Sequence, residues 1–372
     1  MNKNFYKNTI LIIVSLLCCF SILEIAFRLI NPQKFPDNYF RRDKLSGLIC
    51  GSPDYLGYWD SEYGRIVIKT NKYGFRGNVF DQSKKSHAKV LILGDSFVNA
   101  KQVNFKDTFG CLLSENVNDI KIQVMEVGAG TWGQGDELQW LRTYCDKLKP
   151  DIVILSVFLG NDLTIDNMKT NNIGSSTYLI TKHGLISKRH KQGELINKIK
   201  QYTIYQSDLY LFVRQQISLH LSNKIIKDEK ESIRINIHDE SRINIYLKNE
   251  DVRKIYYSTF FKLIEQFILL GQEKNFKIVP MIIPWHMALK ESYFNHVLEH
   301  FNLPKDEYLR TLPQTEIGIY MKKQKIDFID LSEVFLKQSD PLIAYGKKDK
   351  HLSPVGHKFI SQELIRYFEQ TN

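Results

Sequence analysis

Five short apolar runs, separated by stretches with helical periodicity, dominate the chain from residue 88 onward. Unbroken aliphatic runs of this length are typical of strands that are buried on both faces. Alternation of such strands with helices predicts an α/β fold, in which helices cover both sides of a five-stranded parallel sheet. The runs are AKVLILGD (88–95), KIQVMEVG (121–128), DIVILSVFLG (151–160), FKIVPMIIP (276–284) and KIDFIDLS (325–332).

Apolar residues spaced three or four positions apart predict three amphipathic helices. The apolar face of the first comes after Gly135. The apolar face of the second comes after Asp251, and Gly271 is its expected C-cap. The third opens with Ser353 and Pro354, an N-cap and N1 pair. Their predicted buried faces are Leu138, Leu141, Cys145 and Leu148, then Tyr256, Phe260, Leu263, Phe267 and Leu270, then Phe359, Ile360, Leu364 and Phe368.

Two segments depart from this alternation. Residues 31–87 are polar and rich in Tyr, Gly and Asn, and their YGRIVIKTNKYGFRG stretch predicts short strands and turns, a collar rather than a core. Residues from about 165 to 250 predict a hairpin at 177–188, a basic run and a helix at 209–221. We interpret this second segment as an insertion in a single domain that spans 88–372.

The N-terminus, residues 1–30, predicts a membrane anchor. Thr9 to Phe27 forms one apolar stretch of 19 residues, which gives a helix of roughly 28 Å, close to the thickness of a bilayer core. Glu24 is its single charge and stands four residues before Arg28, so an ion pair near the interface is expected. A cleaved signal peptide and a buried core helix are the alternatives, but no small-x-small cleavage site follows the stretch. We expect the domain that follows it on the extracytoplasmic side.

Composition sets further bounds on function. The 372 residues are 43% hydrophobic, enough for a sizeable core, and the net charge of +10 favours anionic surfaces. No nucleic-acid-binding pattern is present, so no nucleic acid partner is expected. No cluster has metal-ligand spacing and no glycine loop is of the phosphate-binding type, so no metal and no other cofactor is expected. Cys50, Cys111 and Cys145 are expected to be small buried hydrophobic residues, although one disulfide among them is permitted.

Polar groups follow three of the predicted strands, and the carboxyl ends of parallel strands meet at one edge of a sheet. The segments are Gly94-Asp95-Ser96, EVGAGTWGQGDE (126–137), Gly160-Asn161-Asp162 and the tail segment KKDKHLSPVGH (347–357). A nucleophile, a base, a carboxylate to orient the base and donors for an oxyanion are what hydrolytic acyl transfer requires. The sequence therefore predicts an acyl-transfer site at this edge.

With these four segments in this order, the chain resembles the SGNH/GDSL hydrolase family over roughly residues 88–368, and its bacterial membrane-anchored members in particular. The resemblance implies a three-layer α/β/α flavodoxin-like fold. It implies Ser96 as nucleophile, His351 as general base and Asp349 as the carboxylate that orients it. It also implies an oxyanion hole made by the backbone N–H groups of Ser96 and Gly130 and by the Asn161 side chain.

Two departures from the family pattern matter. Family glycine loops often begin with Asn and carry Gly five residues later, where this chain has Glu126 and Thr131. Either Gly130 or Thr131 could therefore supply the backbone donor. Many members have Asp three residues before His, where this chain has Lys348, and Asp349 stands two before. Residues i and i+2 of an extended segment point to the same side, so the Asp349 carboxylate is still expected to reach the imidazole.

Three neighbouring side chains have two interpretations each. Asp162 either takes part in the site or braces its loop. Trp285 and His286 either line the cleft or are ordinary rim residues. His357 is expected in the first turn of the last helix.

The function that the resemblance implies is that of a serine esterase or O-acyltransferase, working through an acyl-serine intermediate. The Asp-x-His spacing resembles that of the alginate O-acetyltransferase-like branch, which favours an acetylated extracytoplasmic carbohydrate as substrate. A lipase or lysophospholipase at the membrane surface is the alternative enzyme. A degenerate, non-catalytic binding subunit is the non-enzyme alternative. Neither the natural ester nor the oligomeric state follows from the sequence.

Overall fold

The computed structural model describes residues 3–30, 39–84, 87–116, 121–130, 132–163 and 242–371, the backbone of 177–181 and 184–188, and residues 207, 209 and 213. The chain divides into two compact units, Met1–Tyr39 with Lys191–Ser232, and Phe40–His190 with Ile233–Asn372. Most of the expected insertion, including the helix expected at 209–221, lies outside the described residues. The domain boundaries drawn from the sequence stay a prediction.

The N-terminal segment forms one long helix, α1 (Lys3–Ile30). Within it, Tyr6–Ala26 has a mean hydropathy of 2.5 and none of it is buried, so among the described residues it is the one helix long and apolar enough to cross a membrane. The expected ion pair is present, with Arg28 Nε 2.8 Å from Glu24 Oε1. The helix thus has the length and composition of a span.

Residues 40–84 form two small antiparallel ladders and pack into the core. The pairs are β1 (Phe40–Arg42) with β2 (Ile49–Gly51), and β3 (Leu56–Ser61) with β4 (Gly64–Lys69). Leu48, Phe75 and Phe80 are buried in the same hydrophobic core as the central strands. The expectation of a collar outside the core is therefore wrong. Phe75 makes edge contacts with Trp132 and Trp140, with ring centroids 5.6 and 5.3 Å away, so this segment shares the core of the domain.

Five parallel strands form the central sheet, as expected. They are β5 (Ala88–Gly94), β6 (Ile122–Gly128), β7 (Ile152–Phe158), β10 (Lys277–Ile283) and β11 (Ile329–Asp330), and the hairpin β8 (Thr177–Thr181) with β9 (Gly184–Lys188) lies between β7 and β10 in the chain. The order across the sheet is β6-β5-β7-β10-β11. Numbered along the chain this is 2-1-3-4-5, the flavodoxin-like order. The α/β fold class is confirmed, although the fifth strand is only two residues long.

Helices connect and cover the strands. In the described part of the chain they are α2 (Ser96–Asn99), α3 (Phe109–Asn116), α4 (Gln134–Leu148), α5 (Glu250–Lys274), α6 (His286–Leu289), α7 (Glu291–His300), α8 (Leu312–Lys323), α9 (Ser332–Leu336) and α10 (Pro354–Thr371). Helix α3 packs with α10, and α4 packs with α5, which gives the flanking layers. The predicted buried faces of α4 and α5 are buried, and Ser353 caps α10 as expected, its Oγ accepting from the Gly356 N–H at 3.0 Å.

One predicted helix end is wrong. Helix α5 continues through Gly271 and stops at Lys274, and Asn275 takes the left-handed conformation with φ of 59°. The Phe276 N–H then bonds to the Gly271 carbonyl at 2.9 Å, the long bond of a Schellman motif. A Cβ on Gly271 would stand 2.6 Å from the Phe276 carbonyl oxygen. Glycine is therefore needed there for the close return of the chain, and the cap lies four residues later.

Candidate active site

The end of β5 presents Ser96 at the carboxyl edge of the sheet. Asp95 is the N-cap of α2, and its Oδ1 accepts the Phe97 N–H at 2.8 Å. Ser96 is the first residue of that helix and is partly exposed, while its neighbours on both sides are buried. The turn that ends the buried strand therefore leaves one hydroxyl accessible in an otherwise closed segment.

His351 approaches this hydroxyl from the far end of the chain. Its Nε2 lies 2.9 Å from Ser96 Oγ, a hydrogen-bond distance. When the ring carries its proton on Nδ1, Nε2 accepts from the Ser96 O–H, which is the arrangement of a nucleophile and its base. The two residues are 255 positions apart, and the fold brings them together as the sequence predicts.

Asp349 lies beside the opposite nitrogen of the same ring. Its Oδ2 is 3.7 Å from His351 Nδ1, close enough for an ion pair but longer than a hydrogen bond. Its Oδ1 accepts the His351 backbone N–H at 3.0 Å. Burial would raise the pKa of Asp349, but contacts with His351 and the charge of Lys350 together hold that pKa below its ordinary value. The carboxylate is thus ionised at neutral pH and needs a small movement to bond the imidazole.

The loop that carries His351 is tied to the domain on several sides. The Gly346 N–H bonds to the His351 carbonyl at 2.7 Å, and Gln102 Nε2 donates to the Leu352 carbonyl at 3.0 Å. The ring of Phe97, the residue after the nucleophile, lies 5.2 Å from the imidazole between centroids. The position of His351 relative to Ser96 is therefore fixed through both backbone and ring contacts.

Arg76 supports the other side of the nucleophile turn and was missed in the sequence reasoning. It is 4% exposed and donates to the Ala100 carbonyl at 2.5 Å and to the Val103 carbonyl at 3.0 Å. Ala100 has φ of 47° and ends α2. A buried arginine on these carbonyls holds the end of the short helix that begins with Ser96. The signal for it was a charge flanked by phenylalanine and glycine within a stretch rich in turn residues.

Asn161 follows β7 and reaches the same turn. Its Nδ2 donates to Asp95 Oδ2 at 2.7 Å, which places its amide next to the residue that precedes the nucleophile. Asp162 has a different role, because its Oδ2 accepts the Phe158 N–H at 2.7 Å and the side chain is buried. Of the two interpretations, Asp162 braces the loop.

The glycine loop after β6 also lies against the nucleophile. A Cβ built on Gly130 would be 3.7 Å from Ser96 Cβ, and Gly130 is exposed. Asn99 Nδ2 bonds to the Gly128 carbonyl at 2.8 Å and joins this loop to α2. Thr131, the other candidate donor, lies outside the described residues. The structure thus brings all five predicted site residues, Ser96, Gly130, Asn161, Asp349 and His351, to one edge of the sheet.

A group of buried acids lies behind the nucleophile turn, and sequence reasoning did not anticipate it. Burial, with repulsion by Asp95 next, raises the pKa of Asp162 well above its ordinary value. Burial, followed by the charges of Asp162, Asp95 and Asp136, does the same to Glu137. Burial also raises the pKa of Asp95, against the hydrogen bonds it accepts from Asn161 and Phe97. These environments favour protonated acids, which limits the negative charge behind the site.

Trp285 and His286 are not rim residues, so that interpretation is wrong. Trp285 is fully buried with its ring 5.8 Å from that of Tyr246, and His286 is 8% exposed with its ring 5.7 Å from that of Tyr345. Burial, and then the positive charges of Lys350, Arg242 and His351, lower the pKa of His286 to about 3. A helix, α6, begins at His286 and turns both rings inward.

Glu126, which stands where the family loop begins with Asn, faces away from the site. Its Oε2 lies 2.7 Å from Thr108 Oγ1 and its Oε1 accepts the Gly110 N–H at 3.1 Å, at the start of α3. The Thr108 hydroxyl donates to Glu126 Oε2 and also lies 2.8 Å from the Phe105 carbonyl, so its single proton is shared between the two acceptors. Burial raises the pKa of Glu126 to about 7, against the lowering effects of Thr108, Arg76 and Gly110.

Glu126→Gln is expected to stabilise the protein at alkaline pH. Because the folded pKa is above the unfolded value, the unfolding free energy falls as pH rises from about 4.5 to about 7. The shift corresponds to roughly 3 kcal/mol, so the stability of the variant relative to wild type should grow by ~2–3 kcal/mol between pH 5 and pH 8. Urea denaturation at the two pH values measures it, with exposed Glu291→Gln as control. A difference between Glu126→Gln and wild type that is the same at both pH values would contradict this role.

The described residues contain no group of three or more His, Cys, Asp or Glu side chains able to hold a metal ion. Cys50, Cys111 and Cys145 are not disulfide-bonded, and the first and last are buried as expected. Burial, followed by the charge of Asp43, raises the pKa of the Cys50 thiol to about 12, which makes it a poor nucleophile. Ser96 is therefore the nucleophile candidate that the geometry favours.

Comparison with known proteins finds no matching protein-family model and no matching curated protein. Several solved structures are similar. One is a member of the lipolytic protein G-D-S-L family from Veillonella parvula, at 9% identity and a TM-score of 0.38, covering 76% of this chain and 98% of that one. A lipase/acylhydrolase from Enterococcus faecalis has 12% identity and a TM-score of 0.41, with 76% and 96% covered. A GDSL-like lipase from Bacteroides thetaiotaomicron has 12% identity and a TM-score of 0.38, with 80% and 93% covered.

These neighbours carry the names of the family that the sequence motifs resemble. Their identities lie below 25% and their TM-scores below 0.5. The chemistry of the site therefore has to be argued from its own residues.

Proposed function

We propose that this chain is a serine ester hydrolase of the SGNH type, which hydrolyses or transfers a small acyl group through an acyl-Ser96 intermediate. The observation that carries the proposal is the 2.9 Å contact between Ser96 Oγ and His351 Nε2 at the carboxyl edge of a flavodoxin-like sheet. A partly exposed serine hydroxyl, hydrogen-bonded to an imidazole with a carboxylate on its other side, is the arrangement that activates serine for attack on a carbonyl.

In the acylation step, Ser96 Oγ forms a bond to the ester carbonyl carbon while its proton passes to His351 Nε2. The carbonyl electron pair moves onto oxygen and then returns as the bond to the alcohol breaks. His351 gives its proton to that alcohol. Water or a sugar hydroxyl then attacks the carbonyl carbon of the acyl-enzyme and loses its proton to Nε2. As the bond between that carbon and Ser96 Oγ breaks, His351 returns the proton to Ser96. Asp349 stabilises the imidazolium that exists between the transfers.

Three donors are proposed for the oxyanion: the Ser96 N–H, the Gly130 N–H and the Asn161 amide. The contact of Asn161 with Asp95, 2.7 Å, and the proximity of Gly130 to Ser96 support this assignment. Such donors are typically worth roughly 3–4 kcal/mol each when they act on the oxyanion. A hydrogen bond to the buried Asp95 already orients the Asn161 amide, so little free energy is needed to orient it in the transition state.

An acetylated carbohydrate outside the cytoplasm is the proposed substrate. The side chains of His351 and Asp349 are 33% and 38% exposed, so a bulky acyl acceptor can approach the base. The Asp-x-His spacing supports the same substrate, because it resembles the spacing in the alginate O-acetyltransferase-like branch. A membrane lipase is the second candidate, and the apolar helix α1 favours it because a tether places the domain near lipid. We also propose that α1 is retained as an anchor, with the catalytic domain on the extracytoplasmic side.

The test compares the full chain with a variant that lacks residues 1–30, using p-nitrophenyl acetate and p-nitrophenyl decanoate. We expect the full chain in the membrane fraction and the truncated chain in the soluble fraction, both with a higher kcat/KM on the acetate. Preference for the decanoate would favour the lipase, and inactivity on both esters would favour a binding subunit. Membrane retention of the truncated chain would contradict anchoring by α1. A reporter fused after residue 372 must read out on the outer side.

A further inference from the structure

The turn of the β3–β4 hairpin touches the loop that carries Asp349 and His351. Glu62 lies in this turn and accepts three consecutive backbone N–H groups of that loop. Its Oε2 accepts from Lys347 at 3.0 Å, and its Oε1 accepts from Lys348 at 2.9 Å and from Asp349 at 3.4 Å. One carboxylate from the N-terminal part of the domain therefore binds the backbone immediately before the proposed acid and base.

The loop is shaped to receive this carboxylate. A Cβ on Gly346 would stand 2.5 Å from Glu62 Oε1 and 2.9 Å from Asp349 Oδ1, so a side chain there would displace the Glu62 carboxylate. Lys347, Lys348 and Lys350 make the loop cationic around its single acid. An anion bound to successive N–H groups satisfies their hydrogen bonds and offsets this charge.

The turn itself is rigid enough to act as a fixed support. Ser61 pairs with Gly64, so the connection is the two residues Glu62 and Tyr63, and Ser61 Oγ accepts the Tyr63 N–H at 3.0 Å. Gly64 takes a φ of 104°, which favours glycine. Burial, and then the charges of Glu62 and Asp349, raise the pKa of Tyr63 to about 12, in keeping with a turn that lies against the loop.

We propose that Glu62 is a positioning residue, which holds the 346–351 loop so that Asp349 and His351 face Ser96 in the geometry for acyl transfer. The inference rests on the proposed function of those three residues. The loop needs such support because Lys350, between the acid and the base, has φ of 63°, a conformation that costs a non-glycine residue energy. Without Glu62, the three N–H groups would bond to water, which does not fix their direction.

Glu62→Ala is expected to lower kcat on p-nitrophenyl acetate by about 10-fold or more, since misplacement of catalytic groups by an ångström can cost up to about 100-fold. KM should change by less than about twofold, because Glu62 does not touch the ester. Glu62→Gln should recover part of the rate, since its amide oxygen still accepts N–H groups. The matched control is Asp60→Ala. It removes a carboxylate from the same hairpin, and that carboxylate pairs with Arg65 at 2.8 Å. That control should keep the wild-type rate.

A double-mutant cycle separates positioning from general stability. In an Asp349→Ala background, Glu62→Ala should cost less than it does in the wild-type protein, because one of the two groups that it positions is gone. If the losses of kcat from the two single substitutions multiply in the double variant, or if Glu62→Ala keeps the wild-type rate, the proposal is overturned. Covalent labelling of Ser96 by a fluorophosphonate is the second readout and should slow in Glu62→Ala to the same degree as kcat. If the wild-type protein is not labelled at Ser96, the proposed function fails instead, so the two failures are distinguishable.

Discussion

Ser96→Ala is expected to abolish ester hydrolysis, with kcat lower by roughly 10⁴- to 10⁶-fold, the range seen when a member of a catalytic triad is removed. The physical reason is the loss of the one hydroxyl that both stands clear at the edge of the sheet and lies 2.9 Å from His351 Nε2. Residual activity would come from the oxyanion donors alone. Initial rates on p-nitrophenyl acetate at high protein concentration measure the effect.

The fold of this variant should be intact. The Ser96 side chain contributes a single hydrogen bond, to His351, so its removal should change the unfolding free energy by no more than about 1 kcal/mol. Ser114→Ala is the matched control, because that exposed hydroxyl only donates to the Cys111 carbonyl at the end of α3. Full activity in Ser96→Ala would mean that another nucleophile carries the reaction.

His351→Ala is expected to have an effect of similar size on kcat, roughly 10⁴- to 10⁶-fold, because serine without its base is not a nucleophile at neutral pH. Asp349→Ala should cost less than the ~10⁴-fold typical of loss of the acid from a tight triad. The reason is the 3.7 Å separation between Asp349 Oδ2 and His351 Nδ1, which is too long for a strong hydrogen bond in the free protein. Single-turnover acylation measures both variants, with exposed His300→Ala as control.

An unchanged acylation rate in Asp349→Ala would move the orienting role to another group. An effect in Asp349→Ala as large as in His351→Ala would instead show that the carboxylate closes on the ring when substrate binds. Equal activity of His351→Ala and wild type would contradict the assignment of the base.

The sheet could be predicted because it follows from local rules, and the pairing of Ser96 with His351 could be predicted because their motifs resemble those of the SGNH/GDSL family. Buried parallel strands are read from continuous apolar runs, and their carboxyl ends converge whatever the details of the loops. Gly94-Asp95-Ser96 and Asp349-x-His351 each stand at such a convergence or just before a capped helix. The apolar period placed the strand ends, and the resemblance to the SGNH/GDSL family identified Ser96, Asp349 and His351 among the polar residues there.

What the sequence did not reveal depends on contacts between distant segments. Glu126 looked like a degenerate loop residue, yet its position is decided by Thr108 and Gly110, 18 and 16 residues away. The support of the catalytic loop by Glu62 spans 285 to 287 residues and has no local signature. Polar composition also suggested a segment outside the core, whereas Phe75 is buried against the rings of two tryptophans.

The end of helix α5 was predicted wrongly for a related reason. Gly271 has the residue type of a cap, but tertiary packing uses it for close approach of the Phe276 carbonyl, and Asn275 takes the left-handed position instead. Both residues are permitted in that conformation, so propensity alone does not choose between them.

The measurement that tests the central claim most directly is covalent labelling by a fluorophosphonate, followed by peptide mapping. Attack by an activated serine forms an Oγ–P bond and releases fluoride, and it needs no knowledge of the natural ester. The account predicts one phosphonyl group per chain, on the peptide that contains Ser96, with no label in Ser96→Ala and slow labelling in His351→Ala. Label on any other residue, or no label on a folded wild-type protein, would contradict it.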